Sequence, residues 1–264
     1  IQTQEKLNKE FFKMEKLKNL SKEQKVFIIL VVIFALAIIG FLVSFYISSS
    51  DLKKNGNDYS VGDLTMKVTS SEDEDRNLIE ELTSLSENYN NAVLWLKIPG
   101  TSIDTPVFQA SDNDFYLRKD RDGNETKWGE NFLDYECDVG QLEYGRANYI
   151  VYGHYTEVDT RFTPLLNYKM EDFYNEHKVI EVATKSELYK FEIFAVYQTT
   201  PDFYYIQSNF DNSDEFLNFV SAIKEKSMYN SDIEITDEDT ILTLSTCDYS
   251  IDDGRFVIQA KLLK

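Results

Sequence analysis

Residues 26–47 read VFIILVVIFALAIIGFLVSFYI, a run of 22 residues without a charge. A helix of that length rises roughly 33 Å at about 1.5 Å per residue, enough to cross a hydrocarbon layer about 30 Å thick. A core helix of a globular domain keeps a polar face, and this run has none. The apolar part of a cleaved secretory signal is shorter, about 7–15 residues, and ends in small residues. Ser48, Ser49 and Ser50 leave cleavage open as an alternative. The expectation is a single transmembrane helix over 26–47, with the rest of the fold built from the residues C-terminal to it.

The flanks set its orientation. Residues 1–25 carry seven Lys and four Glu, whereas residues 48–264 carry 20 basic and 42 acidic residues. Basic flanks stay in the cytoplasm, which places residues 1–25 inside as a basic tail and residues 71–264 outside as an extracellular domain, with residues 48–70 as a polar linker. In the tail, Leu7, Phe11, Met14 and Leu17 recur at roughly helical spacing among lysines, which suits either a helix lying on an anionic leaflet or a frayed polar tail. The chain starts at Ile1 rather than Met, and further sequence is expected ahead of it. A net charge of −19 argues against nucleic acid as a partner, since phosphate binding needs clustered Lys and Arg. Two cysteines and two histidines are too few for a disulfide scaffold or a structural zinc site, so no metal and no cofactor is expected.

Behind the linker, residues 72–89 read as an acidic amphipathic helix with Leu78, Ile79, Leu82 and Leu85 at helical spacing and Ser71 as its cap. The period then changes to that of strands. Residues 93–98, 103–108, 149–152, 179–183, 188–198, 241–246 and 256–263 read as strands, and 214–226 as one amphipathic helix. In the last strand Phe256, Ile258, Ala260 and Leu262 alternate with Val257, Gln259 and Lys261, which predicts one buried face. Many short strands with few helices make a mainly β domain, a barrel or a sandwich.

Three side chains carry the chemistry. Cys247 ends the strand at 241–246, and His154 follows the strand at 149–152 by two residues. Arg255 lies eight residues beyond Cys247, across a polar loop. A thiol becomes a nucleophile beside a base or a cation, and a fixed guanidinium can hold an oxyanion or a substrate carbonyl. Asp248, directly after the thiol, reads as a solvated loop acid. His177, in a polar turn, reads as exposed and outside the chemistry. Cys137 reads as a free thiol outside the mechanism. The acidic runs Asp252, Asp253 and Asp237, Glu238, Asp239 lack EF-hand spacing and read as solvated faces.

The segment Leu242, Thr243, Leu244, Ser245, Thr246, Cys247 resembles the TLxTC signature of the sortases, membrane-anchored cysteine transpeptidases of Gram-positive bacteria. Tyr152, Gly153 and His154 resemble that family's histidine motif, and Arg255 stands where the family places its arginine. The stretches 95–107, 112–117 and 132–135, with a long helix-bearing insertion between 199 and 239, resemble class B. One departure is Tyr155 and Thr156, where many class B members carry Asn and Met. The resemblance covers roughly residues 71–264. It implies a sortase-type eight-stranded β-barrel with peripheral helices.

The implied reaction is cleavage of an NPxT(N/G)-like C-terminal sorting signal after its Thr. Cys247 would form a thioacyl-enzyme, His154 would serve as acid and base, and Arg255 would hold the oxyanion or the substrate backbone. Asn113, Leu117, Ser245, Thr246 and Tyr205 are the implied substrate-binding residues; Tyr205 also suits ordinary aromatic packing. The implied partners are surface proteins bearing a sorting signal and a cell-wall precursor amine. The same residues leave three alternatives open: a pilin polymerase with a lysine acceptor, a cysteine hydrolase with water as acceptor, and an anchored binding module without catalysis.

Overall fold

The structure, a computed structural model, describes residues 77–156 and 160–263. The transmembrane helix, linker and basic tail expected from the sequence lie outside the described residues, as does Ser71. Among the described residues no helix is long and apolar enough to cross a membrane.

The chain enters through α1 (Leu78–Asn88), whose Asn77 side chain accepts hydrogen bonds from the N–H groups of Ile79 and Glu80. That cap starts the helix at Leu78, because an extended Asn77 satisfies the first free amides, while residues 72–76 of the expected helix lie outside the described residues. An 11-residue helix is marginal by itself. Leu78, Leu82 and Leu85 bury one face against Trp95, Phe108 and Ala183. At about 1.5–3 kcal/mol for each buried side chain, that packing, and not propensity, holds the helix in place.

Eight strands come next: β1 (Ala92–Lys97), β2 (Asp104–Phe108), β3 (Phe132–Leu133), β4 (Ala147–Tyr152), β5 (Val179–Ala183), β6 (Leu188–Thr199), β7 (Thr240–Cys247) and β8 (Arg255–Leu262). They close into a barrel in the order β1-β2-β3-β4-β7-β8-β6-β5. The barrel is mixed: β2 with β3 and β4 with β7 are parallel, and the other pairs antiparallel. Its interior is packed by Leu96, Val107, Ile150, Phe191, Leu244 and Ile258 among others, all fully buried. Three helices, α2 (Phe115–Arg118), α3 (Glu171–Glu176) and α4 (Ser213–Lys226), sit in the connections.

One strand departs from expectation. β8 is buried on both faces: Val257 and Gln259 are as inaccessible as Ile258 and Ala260. The second face is covered because Phe216, Val220 and Ile223 of α4 pack on Val257, Ile241, Phe194 and Tyr197. Gln259 is tolerated there because Tyr197 Oη donates to its Oε1 at 3.1 Å and its Nε2 donates to Thr243 Oγ1 at 2.8 Å. Alternation predicts one buried face only when the other meets water.

Candidate active site

The mixed pairing decides where the functional side chains meet. Parallel strands bring like ends to the same rim, so the C-terminal ends of β4 and β7 lie side by side, with Tyr152 opposite Ser245. Gly153 N–H continues the ladder to the Ser245 carbonyl at 3.1 Å. Two residues further along each chain stand His154 and Cys247. β8 then returns antiparallel from the same rim, and its first residue, Arg255, is the ladder partner of Cys247. A parallel pair followed by a hairpin thus gathers thiol, imidazole and guanidinium at one end of the barrel. All three are half-buried.

They line one groove of about 390 Å³. Every site residue inferred from the sequence borders it: Cys247, His154, Arg255, Asn113, Leu117, Ser245, Thr246 and Tyr205. Phe132, Tyr152 and Pro201, which carry no chemical signal in the sequence, complete the walls together with Phe203, Tyr204 and Ile206. The outer wall belongs to the connection from β6 to α4. Asn148, buried in β4, holds it by donating through Nδ2 to the carbonyls of Tyr205 and Gln207. Tyr205 is both a wall and a packing residue: its ring meets Tyr197 edge-on, and its hydroxyl bonds Ser245 Oγ at 2.8 Å. Asn113 is oriented by Asp134, which accepts from its Nδ2 at 2.8 Å, and by Tyr135, whose N–H donates to its Oδ1 at 3.1 Å.

The imidazole of His154 is fixed by the Leu117 carbonyl, 2.8 Å from Nε2. A carbonyl only accepts, so in the neutral ring the proton sits on Nε2 and Nδ1 is the basic nitrogen. Burial lowers the His154 pKa; the Leu117 hydrogen bond opposes this, and the cations of Arg118 and Arg161 add to it. The resting imidazole is therefore neutral near pH 7 and available as a base. Arg255 is steadied by the turn before it, with Nη1 donating to the carbonyls of Asp253 and Gly254.

Three sequence expectations need correction. Asp248 is buried rather than solvated. Burial opposes its charge, but Lys169, at 2.6 Å, and two hydrogen bonds from Ser250 hold its carboxyl below the ordinary range. With Gln198 Nε2 also donating to it, Asp248 ties down the turn between Cys247 and Arg255. His177 is half-buried rather than exposed; Nδ1 bonds the Pro99 carbonyl at 3.0 Å and the ring packs on Phe173, away from the groove. Asp239 is buried against Lys261 at 3.0 Å, so the acidic run at 237–239 is not wholly a solvated face. Tyr249 is a residue that sequence reasoning misses. Burial and the neighbouring Cys247 raise its pKa, and its ring meets Tyr155 edge-on at 5.6 Å. Nothing in a loop tyrosine's sequence context marks such a contact.

Cys137 lies elsewhere. It is buried beside the N-terminal end of β4, its thiol donating to the Asn148 carbonyl, and burial pushes its pKa up to about 12. A thiol so protected is not ionised near neutrality. Cys137→Ala is expected to leave acyl transfer within twofold of the parent and to cost only about 1 kcal/mol of stability, read by peptide turnover and thermal unfolding.

A thiol, a neutral imidazole and an anchored guanidinium facing one apolar groove define a cysteine acyl-transfer enzyme. The sortase-domain family model matches residues 96–263. Sortase B of Listeria monocytogenes is 37% identical over 186 residues, covering 70% of this chain and 74% of that protein. The structure of a Staphylococcus aureus sortase B–substrate complex superposes with a TM-score of 0.65 at 34% identity, over 72% of this chain and 87% of that one. A structure of sortase B complexed with triglycine also gives 0.65 at 34% identity, over 73% and 89%. The chain belongs to the sortase family: it has the sortase fold, is sortase B-like, and is a cysteine transpeptidase.

Proposed function

We propose that this transpeptidase cleaves an NPxT(N/G)-like sorting signal after its Thr and joins the freed carboxyl end to a cell-wall precursor amine outside the cytoplasm. The observation that carries the reading is the convergence of Cys247, His154 and Arg255 on one groove. Neutral His154 takes the Cys247 proton as sulfur attacks the Thr carbonyl. The tetrahedral oxyanion is held by Arg255 and by backbone N–H groups near Cys247. As the C–N bond breaks, His154 returns the proton to the departing amine, leaving a thioester on sulfur. An incoming amine then loses its proton to His154, attacks the thioester and displaces the thiolate, which regains that proton. Leu117, Ser245, Thr246, Tyr205 and the remaining N–H of Asn113 contact the signal. The substrate and triglycine complexes of the relatives support a peptide donor and an amine acceptor. Membrane anchoring by residues 26–47, with residues 1–25 in the cytoplasm, rests on the apolar run and the charge asymmetry about it.

A peptide library incubated with the full chain and triglycine tests this. Amide products from NPxT-type donors, growing with triglycine at the expense of the free acid, are expected. Free acid alone at every triglycine concentration points to a hydrolase. Transfer only to a lysine side chain points to a pilin polymerase.

A further inference from the structure

Behind the groove lies an ion pair that the transfer chemistry does not use. Arg161 Nη1 meets Glu130 Oε2 at 2.6 Å, and both side chains are more than nine-tenths buried. A buried pair of this kind seldom stabilises a fold more than well-packed apolar residues would, because both ions lose their hydration. Arg161 also has a φ of 54°, a left-handed backbone that an L side chain adopts at a cost. Two unfavourable features at one residue call for a reason other than stability.

The connectivity supplies it. Phe162, next to Arg161, donates its N–H to the His154 carbonyl, and its ring packs so closely on Gly153 that a Cβ there would meet it at 2.5 Å. Glu130 donates its N–H to the Tyr116 carbonyl, and its Oε1 accepts from the Arg121 N–H. Leu117, one residue after Tyr116, supplies the carbonyl that His154 Nε2 bonds. The result is a closed circuit: His154 to Leu117, through Tyr116 to Glu130, across the ion pair to Arg161, and through Phe162 back to His154. The ion pair is the side-chain link that closes it.

We propose that the buried Glu130–Arg161 pair is a positioning device that braces the backbone on both sides of His154 and so fixes where its imidazole points in the groove. The proposal rests on the acid–base part assigned above to His154. Neither Glu130 nor Arg161 borders the groove, so both act through His154 and not on substrate. Among the described residues, the charged groups acting on the imidazole are Arg118 on α2 and Arg161 on its own segment, and Cys247 on β7 and Arg255 on β8 share its groove.

The test uses the full chain with ¹³C-labelled histidine. The chain has two imidazoles, His154 and His177, and a His177→Gln variant assigns the signals. Arg161→Met removes a cation that disfavours imidazolium, so the His154 midpoint is expected to rise. Glu130→Gln removes the carboxylate paired with that cation, so the midpoint is expected to fall. Both variants are expected to lose about tenfold or more in kcat for transfer while KM for the signal peptide changes less than about twofold, the split expected of a misplaced catalytic group. Arg161→Lys is expected to restore most of kcat. Should a single variant fail to fold, the E130M/R161M double variant removes both buried charges, with kcat still low and the midpoint raised. Folded variants with kcat within twofold of the parent overturn the brace, whether or not the midpoints move. His154→Ala separates the two readings. If it abolishes transfer while the ion-pair variants change nothing, the brace falls and the site assignment stands; if it leaves transfer intact, the site assignment itself falls.

Discussion

Cys247→Ala is expected to abolish both cleavage and transfer, by about 10⁴-fold or more, because among the described residues the groove holds no second thiol to form the acyl intermediate. The side chain stands half-buried at the end of β7, and the β7–β8 ladder runs through backbone groups that alanine keeps. Thermal unfolding should therefore stay within about 1 kcal/mol of the parent. Cys247→Ser should be nearly as inactive, since a hydroxyl is a far weaker acid and nucleophile than a thiol. The remaining thiol cannot substitute, because Cys137 is buried, protonated and adjacent to the opposite end of β4. Mass spectrometry of enzyme quenched during turnover should show a thioacyl adduct on the parent and none on Cys247→Ala. Turnover retained by a folded Cys247→Ala protein would remove the thiol from the mechanism and overturn the assignment at its root.

How much of the fold is legible in the sequence depends on the range of the forces involved. Strands such as Val179–Ala183 and Thr240–Cys247 are readable because β-branched and apolar residues cluster between turn signals. β3 is two residues long, too short to carry any period, and exists because Phe132 and Leu133 fill the gap between β2 and β4. The chemistry of Cys247, His154 and Arg255 is visible as residue types at strand ends. Their meeting depends on the parallel pairing of β4 with β7, which a span of nearly ninety residues separates and no local pattern announces. The misjudged residues share one cause. Asp248 and His177 look like loop polars, but Lys169 and the Pro99 carbonyl, remote in sequence, give them partners that make burial tolerable. The second buried face of β8 likewise depends on α4 arriving from elsewhere in the chain.

Arg255→Met tests whether the guanidinium stabilises charge that develops during reaction or merely secures the turn. Nη1 is committed to the carbonyls of Asp253 and Gly254, while a guanidinium carries five N–H donors in a rigid fork, so others remain to face the groove. Methionine keeps much of the apolar stem and removes every donor. Loss of the two turn hydrogen bonds should cost about 1–2 kcal/mol of stability. The Asp248 contacts to Lys169, Gln198 and Ser250, together with the Asp248 N–H bond to the Gly254 carbonyl, should keep the turn folded. If Arg255 holds the oxyanion, kcat should fall about 10²–10³-fold with little change in KM, as for removal of an oxyanion donor elsewhere. Arg255→Lys should recover only part of this, because an ammonium presents a point charge where a planar fork is needed. If KM rises while kcat holds, the residue grips the bound peptide equally in ground and transition states. If a folded Arg255→Met protein keeps both constants, the guanidinium has no part in the reaction, and charge stabilisation passes to the backbone N–H groups beside Cys247.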